Sequence, residues 1–122
     1  MCGVAGLINF NGDPVSSVVL KRMTDAIDHR GPDGEGHWIE GPVGLGHRRL
    51  SIIDPSPAGH QPMISADHRW VLSYNGEIYN YRELRTELEA EGVWFRSQTD
   101  SEVALYSLAR WGTNALNKFN GM

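Results

Sequence analysis

Apolar and polar positions along the chain fall into short blocks cut by glycine and proline. Residues 4–10 form a largely apolar run opened by Gly3, interrupted by Gly6 and Asn9 and closed by Asn11, Gly12, Asp13 and Pro14, the pattern of a buried strand ending in a turn. Ser16 or Ser17 can cap a helix reaching about residue 28, with Val19, Met23 and Ile27 recurring on one face, and Gly31 with Pro32 stops it. Residues 37–40 and 43–45 read as two short strands joined at Gly41-Pro42, and Leu50, Ile52 and Ile53 continue as extended chain up to Asp54 and Pro55. Residues 55–61 hold two prolines and a glycine, which predicts an exposed loop with no element of its own. A strand over residues 70–74 ends at the turn signal Asn75-Gly76. Residues 81–91 form the clearest helix, with Tyr81, Leu84 and Leu88 on one side and Gly92 as its stop. Thr99 or Asp100 can cap another, whose apolar stripe of Val103, Leu105, Tyr106, Leu108 and Ala109 ends at Gly112, and a weaker helical segment follows over residues 114–119.

Strand, helix, several strands and then helices indicate α+β layering, not a regular alternation of strand and helix. With 122 residues the ceiling is one domain, or part of one. The stop at Met122, directly after a helix and Gly121 and without a polar tail, predicts a domain truncated on its C-terminal side. Hydrophobic residues at 40% and charged residues at 21% suit a globular chain. The formal net charge of -4 comes with no basic run able to track a phosphate backbone, which argues against nucleic acid as a partner. No amino-terminal signal and no window near the ~20 apolar residues that span a bilayer are present, so the expectation is a cytoplasmic protein without a membrane partner.

The chain holds a single cysteine, Cys2, so no internal disulfide can form. A thiol attacks only as thiolate, and a free cysteine pKa of about 8.5 leaves a few per cent ionised at neutral pH. If Met1 is removed, the new α-amine belongs to Cys2, titrates at about 7.7 to 8.0, and can take the thiol proton and hand it to a leaving amine. Gly3 beside it places no Cβ near the reacting centre. Against this stands the reading of Cys2 as a small buried hydrophobe.

Five strings extend the case: Met1-Cys2-Gly3-Val4-Ala5-Gly6; His29-Arg30-Gly31-Pro32-Asp33; the run from Gly46 through His47, Arg48, Arg49, Leu50 and Ser51 to Asp54; Asn75-Gly76-Glu77-Ile78-Tyr79-Asn80; and Thr99-Asp100-Ser101-Glu102. In this order, across nearly the whole chain, they resemble the glutaminase domain of glutamine-hydrolysing asparagine synthetases, which are class II glutamine amidotransferases. The resemblance implies a partial four-layer αββα amino-terminal nucleophile hydrolase fold with antiparallel sheets, occupying residues 1–122 as an incomplete domain with the synthetase domain absent. It implies hydrolysis of the glutamine side-chain amide to glutamate and ammonia through a Cys2 thioester, feeding ATP-dependent asparagine synthesis from aspartate in the full-length enzyme. L-glutamine is then the small-molecule partner and the synthetase domain is expected in cis. ATP and Mg belong to that missing domain, this segment needs no cofactor, and the full-length form has room for a homodimer.

Carried over residue by residue, Cys2 is the nucleophile, while Asn75 through its side-chain amide and Gly76 through its backbone N–H match the oxyanion donors. Arg49 matches the residue binding the α-carboxylate, Asp100 the one holding the α-amino group, and Glu77 is an additional contact. Each has a plainer reading: a hairpin turn for Asn75-Gly76, a surface ion pair for Arg49 next to Arg48, a helix cap for Asp100. His29, Arg30 and Asp33 are expected to shape the loop beside the pocket. The five histidines show no compact pairing with carboxylate or cysteine, so no metal is expected. Ser101 stands where relatives usually carry threonine, and the loop from Ser56 to Gly59 is slightly expanded. The rival readings are a non-catalytic glutamine-binding or interaction fragment, and an amidotransferase module serving a different acceptor carboxylate.

Overall fold

The computed structural model describes residues 1–122, and the chain divides into two compact units. The first comprises Met1–Ser51, His60–Pro62 and Leu72–Asn75; the second comprises Ile52–Gly59, Met63–Val71 and Gly76–Met122.

The first unit is built on a three-stranded antiparallel sheet of order β1-β3-β2, with β1 at Gly3–Ile8, β2 at Gly34–Glu40 and β3 at Val43–Arg49. β2 and β3 form a hairpin over Gly41-Pro42, where Gly41 takes a φ of 51° that a side chain would disfavour. Both strands run longer than their apolar cores predict, since strand β3 also carries Gly46, His47, Arg48 and Arg49. β1 is an edge strand and not a buried one: Val4 and Ile8 are exposed and the strand stops before Phe10, which is 98% exposed. Asn9 ends it by donating from Nδ2 to the carbonyls of Asp13 and Pro14.

Helix α1, Ser17–Asp25, is capped by Ser16, whose hydroxyl accepts from the Val19 N–H. It stops short of residue 28, and Asp28–Arg30 forms a separate 3-10 turn. The face it buries is that of Leu20 and Thr24, while Val19 is 43% exposed, which corrects the expected stripe. The reason lies in β3. A Cβ on Gly44 would stand 2.8 Å from Val15 Cγ1, and one on Gly46 would stand 2.5 Å from Thr24 Cγ2, so the two glycines open a groove into which Leu20 and Thr24 fit. Thr24 is polar yet fully buried because its hydroxyl donates to Lys21 O at 2.9 Å and meets His37 Nε2 at 2.8 Å.

In the second unit, β4 (Met63–Ile64) and β5 (Val71–Leu72, shared with the first unit's segment) form a two-stranded sheet. β4 is too short to leave a periodic signal, and β5 is shorter than the five residues expected. The loop before them is exposed at residues 55–58 and at His60, as expected, but it carries a 3-10 turn at Pro57–Gly59 and buries Gly59 and Gln61. Helix α2, Tyr81–Ala90, and helix α3, Asp100–Trp111, pack Leu84 and Leu88 with Val103, Ala104 and Leu105. Phe95 joins this core edge-on to Tyr106 at 5.5 Å between ring centroids, with the Arg85 guanidinium 4.4 Å from the Phe95 centroid. Thr99 is the cap of α3, its hydroxyl accepting from Glu102 N. Gly112 ends the helix at a φ of 59°, and the weak helical segment is a 3-10 turn over Gly112–Asn117. Residues 77–79 pair antiparallel with residues 120–122 through Glu77 N to Met122 O, Met122 N to Glu77 O and Tyr79 N to Asn120 O.

The α+β class with antiparallel sheet pairing is thus what the sequence implies. A close backbone approach supplies a test: a Cβ on Gly31 would lie 2.3 Å from Arg48 C and O, whereas one on Gly6 meets nothing nearer than 3.7 Å. Gly31→Ala is expected to lower stability by about 1–3 kcal/mol and Gly6→Ala by less than about 0.5 kcal/mol, read from urea midpoints. Equal midpoints would refute this account of Gly31.

Candidate functional site

Cys2 is half-buried just before β1, one residue beyond the last pair of the ladder, Gly3 opposite Arg48. Its Sγ accepts from the Leu50 N–H at 3.3 Å and lies 3.6 Å from Leu50 O. The Cys2 carbonyl accepts from Arg30 Nε at 3.1 Å. Asp33 braces the same strand end: its N–H donates to Arg49 O at 3.0 Å and its Oδ2 accepts from Ser51 N at 2.8 Å. Arg30 and Asp33 therefore hold backbone, as expected of groups that shape a loop. A Cβ on Gly3 would stand 2.8 Å from Ile27 Cδ1, so the missing side chain also suits packing against the turn after α1.

Alternation along β3 separates the two arginines that residue type alone could not distinguish. Arg48 lies on the α1 face, where Nε donates to Thr24 O at 3.1 Å and Nη2 meets Asp25 at 2.5 Å and Glu35 at 2.8 Å. Arg49 lies at the end of the opposite face, the one that carries His47, and is half-buried.

Asn75 ends a segment without regular structure and is no part of a hairpin turn, so that plainer reading fails. The segment is anchored on both sides of its backbone. Ser73 Oγ donates to Gly46 O at 3.2 Å and meets His47 Nδ1 at 3.1 Å, while Tyr74 N donates to Gln61 Oε1 at 2.7 Å. Gln61 is brought there by β2, since Gly36 lies so close that a Cβ would overlap Gln61 O at 1.9 Å. Cys2, Arg49 and Asn75 thus all belong to the first unit, on its sheet and the adjoining segments.

Gly76, Glu77 and Asp100 belong to the second unit. Gly76 is a bend, and its N–H takes no part in the backbone pairing that begins at Glu77. Asp100, first residue of α3, is 6% exposed and its Oδ2 accepts from Ile78 N at 2.9 Å, which ties it to the strand bearing Glu77. Burial pushes its pKa up, and the backbone N–H groups around it pull in the other direction. Thr99 takes the cap role, so Asp100 is not a plain cap.

Two further polar groups escaped the sequence reading as site candidates. Glu102, 1% exposed, accepts from Arg96 N at 3.0 Å, Ser97 N at 2.7 Å and Ser97 Oγ at 2.6 Å, and so fixes the turn leading into Asp100. The same string that pointed to Asp100 contains it, and its position one helical turn in was the available signal. His47 is fully buried, with Nε2 unpaired and a pKa lowered to about 4, chiefly by burial and then by His60 and Arg49. No group of three or more His, Cys, Asp or Glu is placed to hold a metal ion, and no helix is long and apolar enough to cross a membrane.

Comparison with known proteins decides the family, since the model described as "Glutamine amidotransferase domain" matches residues 1–122. The chain belongs to the glutamine amidotransferase domain family. The amidotransferase domain is 42% identical over 127 residues to asparagine synthetase [glutamine-hydrolyzing] 1 of Bacillus subtilis, covering all of this chain and 20% of that protein. It is 38% identical over 125 residues to asparagine synthetase [glutamine-hydrolyzing] 3 of the same organism, again over all of this chain and 20% of the relative. To the asparagine synthetase [glutamine-hydrolyzing] of Triphysaria versicolor it is 34% identical over 123 residues, with the same coverage of 100% and 20%. The chain therefore spans about a fifth of the length of these curated relatives. The antiparallel sheets and helices are consistent with part of an amino-terminal nucleophile hydrolase fold.

His47 gives the amidotransferase domain a pH signature. Its folded pKa lies below the unfolded value of about 6.5, so the unfolded chain takes up a proton that the folded one refuses. Stability attributable to His47 is full above about pH 6.5 and falls as pH drops towards about 4, by up to about 3 kcal/mol. Denaturant titrations across that window are expected to show this loss in the wild type and not in His47→Leu; parallel curves would refute the assignment.

Proposed function

We propose that this amidotransferase domain hydrolyses the side-chain amide of glutamine at Cys2. The observation that carries the reading is the placement of the Cys2 sulfur: it sits beside the strand end that bears Arg49 and is held there by the backbone of Leu50, whose N–H it accepts at 3.3 Å. The thiolate adds to the amide carbon, and the oxygen of the tetrahedral intermediate takes the negative charge. Asn75 Nδ2 and Gly76 N–H are donors of the type that charge requires, and neither is engaged by a protein acceptor in the hydrogen-bond pattern described above.

Collapse of the intermediate breaks the C–N bond, and the nitrogen leaves as ammonia after accepting a proton from the α-amine of Cys2. Water then attacks the γ-glutamyl thioester, giving glutamate and returning the thiol. Removal of Met1 is a condition of this mechanism, because the peptide bond to Met1 otherwise holds that nitrogen as an amide. Arg49 binds the α-carboxylate as a fork of donors, and Asp100, helped by Glu77, receives the α-ammonium. Burial of Asp100 supports that role, since a cation delivered to a desolvated carboxylate relieves part of the cost that raises its pKa.

The relatives' length and name extend the proposal to the whole protein. The amidotransferase domain continues past residue 122, and an ATP-dependent synthetase domain in cis, which would hold the ATP and Mg, uses the ammonia to convert aspartate to asparagine. A cytoplasmic setting belongs to the same proposal.

Ammonia release from glutamine by the Met1-free full-length protein is the test. Cys2→Ala is expected to abolish it, and Asn75→Ala to lower kcat by about 10²–10³-fold. Arg49→Lys is expected chiefly to raise KM, since Lys cannot reproduce the planar fork. Ammonia release by Cys2→Ala at the wild-type rate would sink the nucleophile assignment. The Asp100 role has its own readout: KM for glutamine rises on acidification as the carboxylate protonates, and this dependence is absent from Asp100→Asn.

A further inference from the structure

We propose that His47 is a positioning residue for the oxyanion donors, holding the segment that presents Asn75 through the chain His47 Nδ1–H to Ser73 Oγ and Ser73 Oγ–H to Gly46 O. This deepens the glutaminase reading above and rests on it.

The hydrogen-bond directions follow from the partners. Gly46 O accepts only, so at 3.2 Å the Ser73 hydroxyl proton must point at it. Ser73 Oγ is then an acceptor towards His47, so Nδ1, 3.1 Å away, carries the ring proton. Nε2 is left as a bare lone pair, buried and without a partner. A depressed pKa keeps the ring neutral at physiological pH, so neither the tautomer nor the bond changes with the medium there.

The energetics point away from a purely stabilising role. A buried acceptor without a donor costs about 1–3 kcal/mol, and an apolar side chain of similar volume would avoid that cost. What an apolar residue at position 47 cannot do is donate to Ser73. The second anchor, Gln61 Oε1 to Tyr74 N, acts on the next residue along, so the two fix consecutive positions directly before Asn75. A donor that must meet a developing oxyanion at about 2.7–3.1 Å depends on such bracing, and a displacement of about 1 Å can cost up to about 10²-fold in rate.

The test uses His47→Leu, His47→Asn, Ser73→Ala and the double variant His47→Leu/Ser73→Ala in the full-length, Met1-free protein. Asn keeps an N–H close to the place of Nδ1–H, whereas Leu keeps only volume. His47→Leu is expected to lower kcat for glutamine hydrolysis by about tenfold or more with KM within about twofold, and His47→Asn to restore most of it. Ser73→Ala is expected to match the Leu variant, and the double variant to lose no more than either single one, because all three break the same chain of bonds. Wild-type kcat in His47→Leu, equal losses in the Leu and Asn variants, or additive losses in the double variant would each overturn the proposal.

A readout independent of catalysis separates this proposal from the glutaminase reading. In NMR spectra at neutral pH the wild-type His47 ring is expected as the Nδ1–H tautomer. The Asn75 side-chain NH2 resonances are expected to broaden or shift in His47→Leu and to recover in His47→Asn. An inactive wild type with those spectra would refute the glutaminase reading and leave the positioning contact standing. An Nε2–H tautomer, or Asn75 resonances indifferent to position 47, would refute the positioning role whatever the activity.

Discussion

The register of β3 between its two neighbours, with Gly3 opposite Arg48 and Gly36 opposite His47, is the constraint on which the candidate site residues of the first unit depend. Because side chains alternate with a period of two, a slip of one residue would exchange the faces of Arg48 and Arg49 and turn His47 towards α1. The close packing of α1 excludes that slip. Only glycine at positions 44 and 46 leaves room for Val15, Leu20 and Thr24, and a shift would bring Leu45 and His47 onto the same helix. Helix packing on one side of the sheet thereby fixes the chemistry on the other, and the ion pairs of Arg48 with Asp25 and Glu35 reinforce the same arrangement.

Much of this was legible from the residues. Helices α2 and α3 carry complete signals, from apolar spacing to terminal glycine, and their observed ends lie close to the predicted ones. The hairpin of β2 and β3 was visible through Gly41-Pro42, although both strands extend through glycines and charged residues that an apolar pattern does not count. Helix α1 misled for a related reason: its contact face contains Thr24, which is buried on the strength of its hydrogen bonds to Lys21 O and His37. β4 is two residues long, and its neighbour Gln61 is buried because Gly36 admits it, a contact between segments distant in sequence. Periodicity within a window cannot report such an approach.

The candidate site divides in the same way. Cys2, Asn75, Gly76, Arg49, Glu77 and Asp100 came from motif strings, whereas His47 and Glu102 lie inside two of those strings and have roles that appear only once partners are known. The three buried ionisable side chains meet the cost of burial differently. Glu102 is served by three donor groups, those of Arg96 N, Ser97 N and Ser97 Oγ, which suits a carboxylate that braces a turn. His47 stays neutral, which removes the charge and leaves one lone pair without a partner. Asp100 stands between them: backbone N–H groups offset its desolvation only in part, so its pKa remains raised. Of the three, it is the group that gains most from a cation brought to it.

For the proposed nucleophile, folding supplies position and leaves activation to the amino terminus. The Leu50 N–H donates to Sγ and the Leu50 carbonyl lies 3.6 Å from the same sulfur, and the bracing of Arg49 and Ser51 by Asp33 holds that segment in place. These contacts place the sulfur but do not remove its proton, and for that a base is needed. Position 2 can supply its own base only as a free α-amine, with a pKa of about 7.7 to 8.0 that lies close to that of a free thiol at about 8.5. On the proposed mechanism, groups with such free values exchange a proton at little cost, and the same amine returns it to the departing nitrogen. Met1 is 58% exposed, and none of the hydrogen bonds described for Cys2 involves it. On the proposed mechanism the Cys2 sulfur is positioned by the contacts of the first unit and activated by a covalent change at Met1.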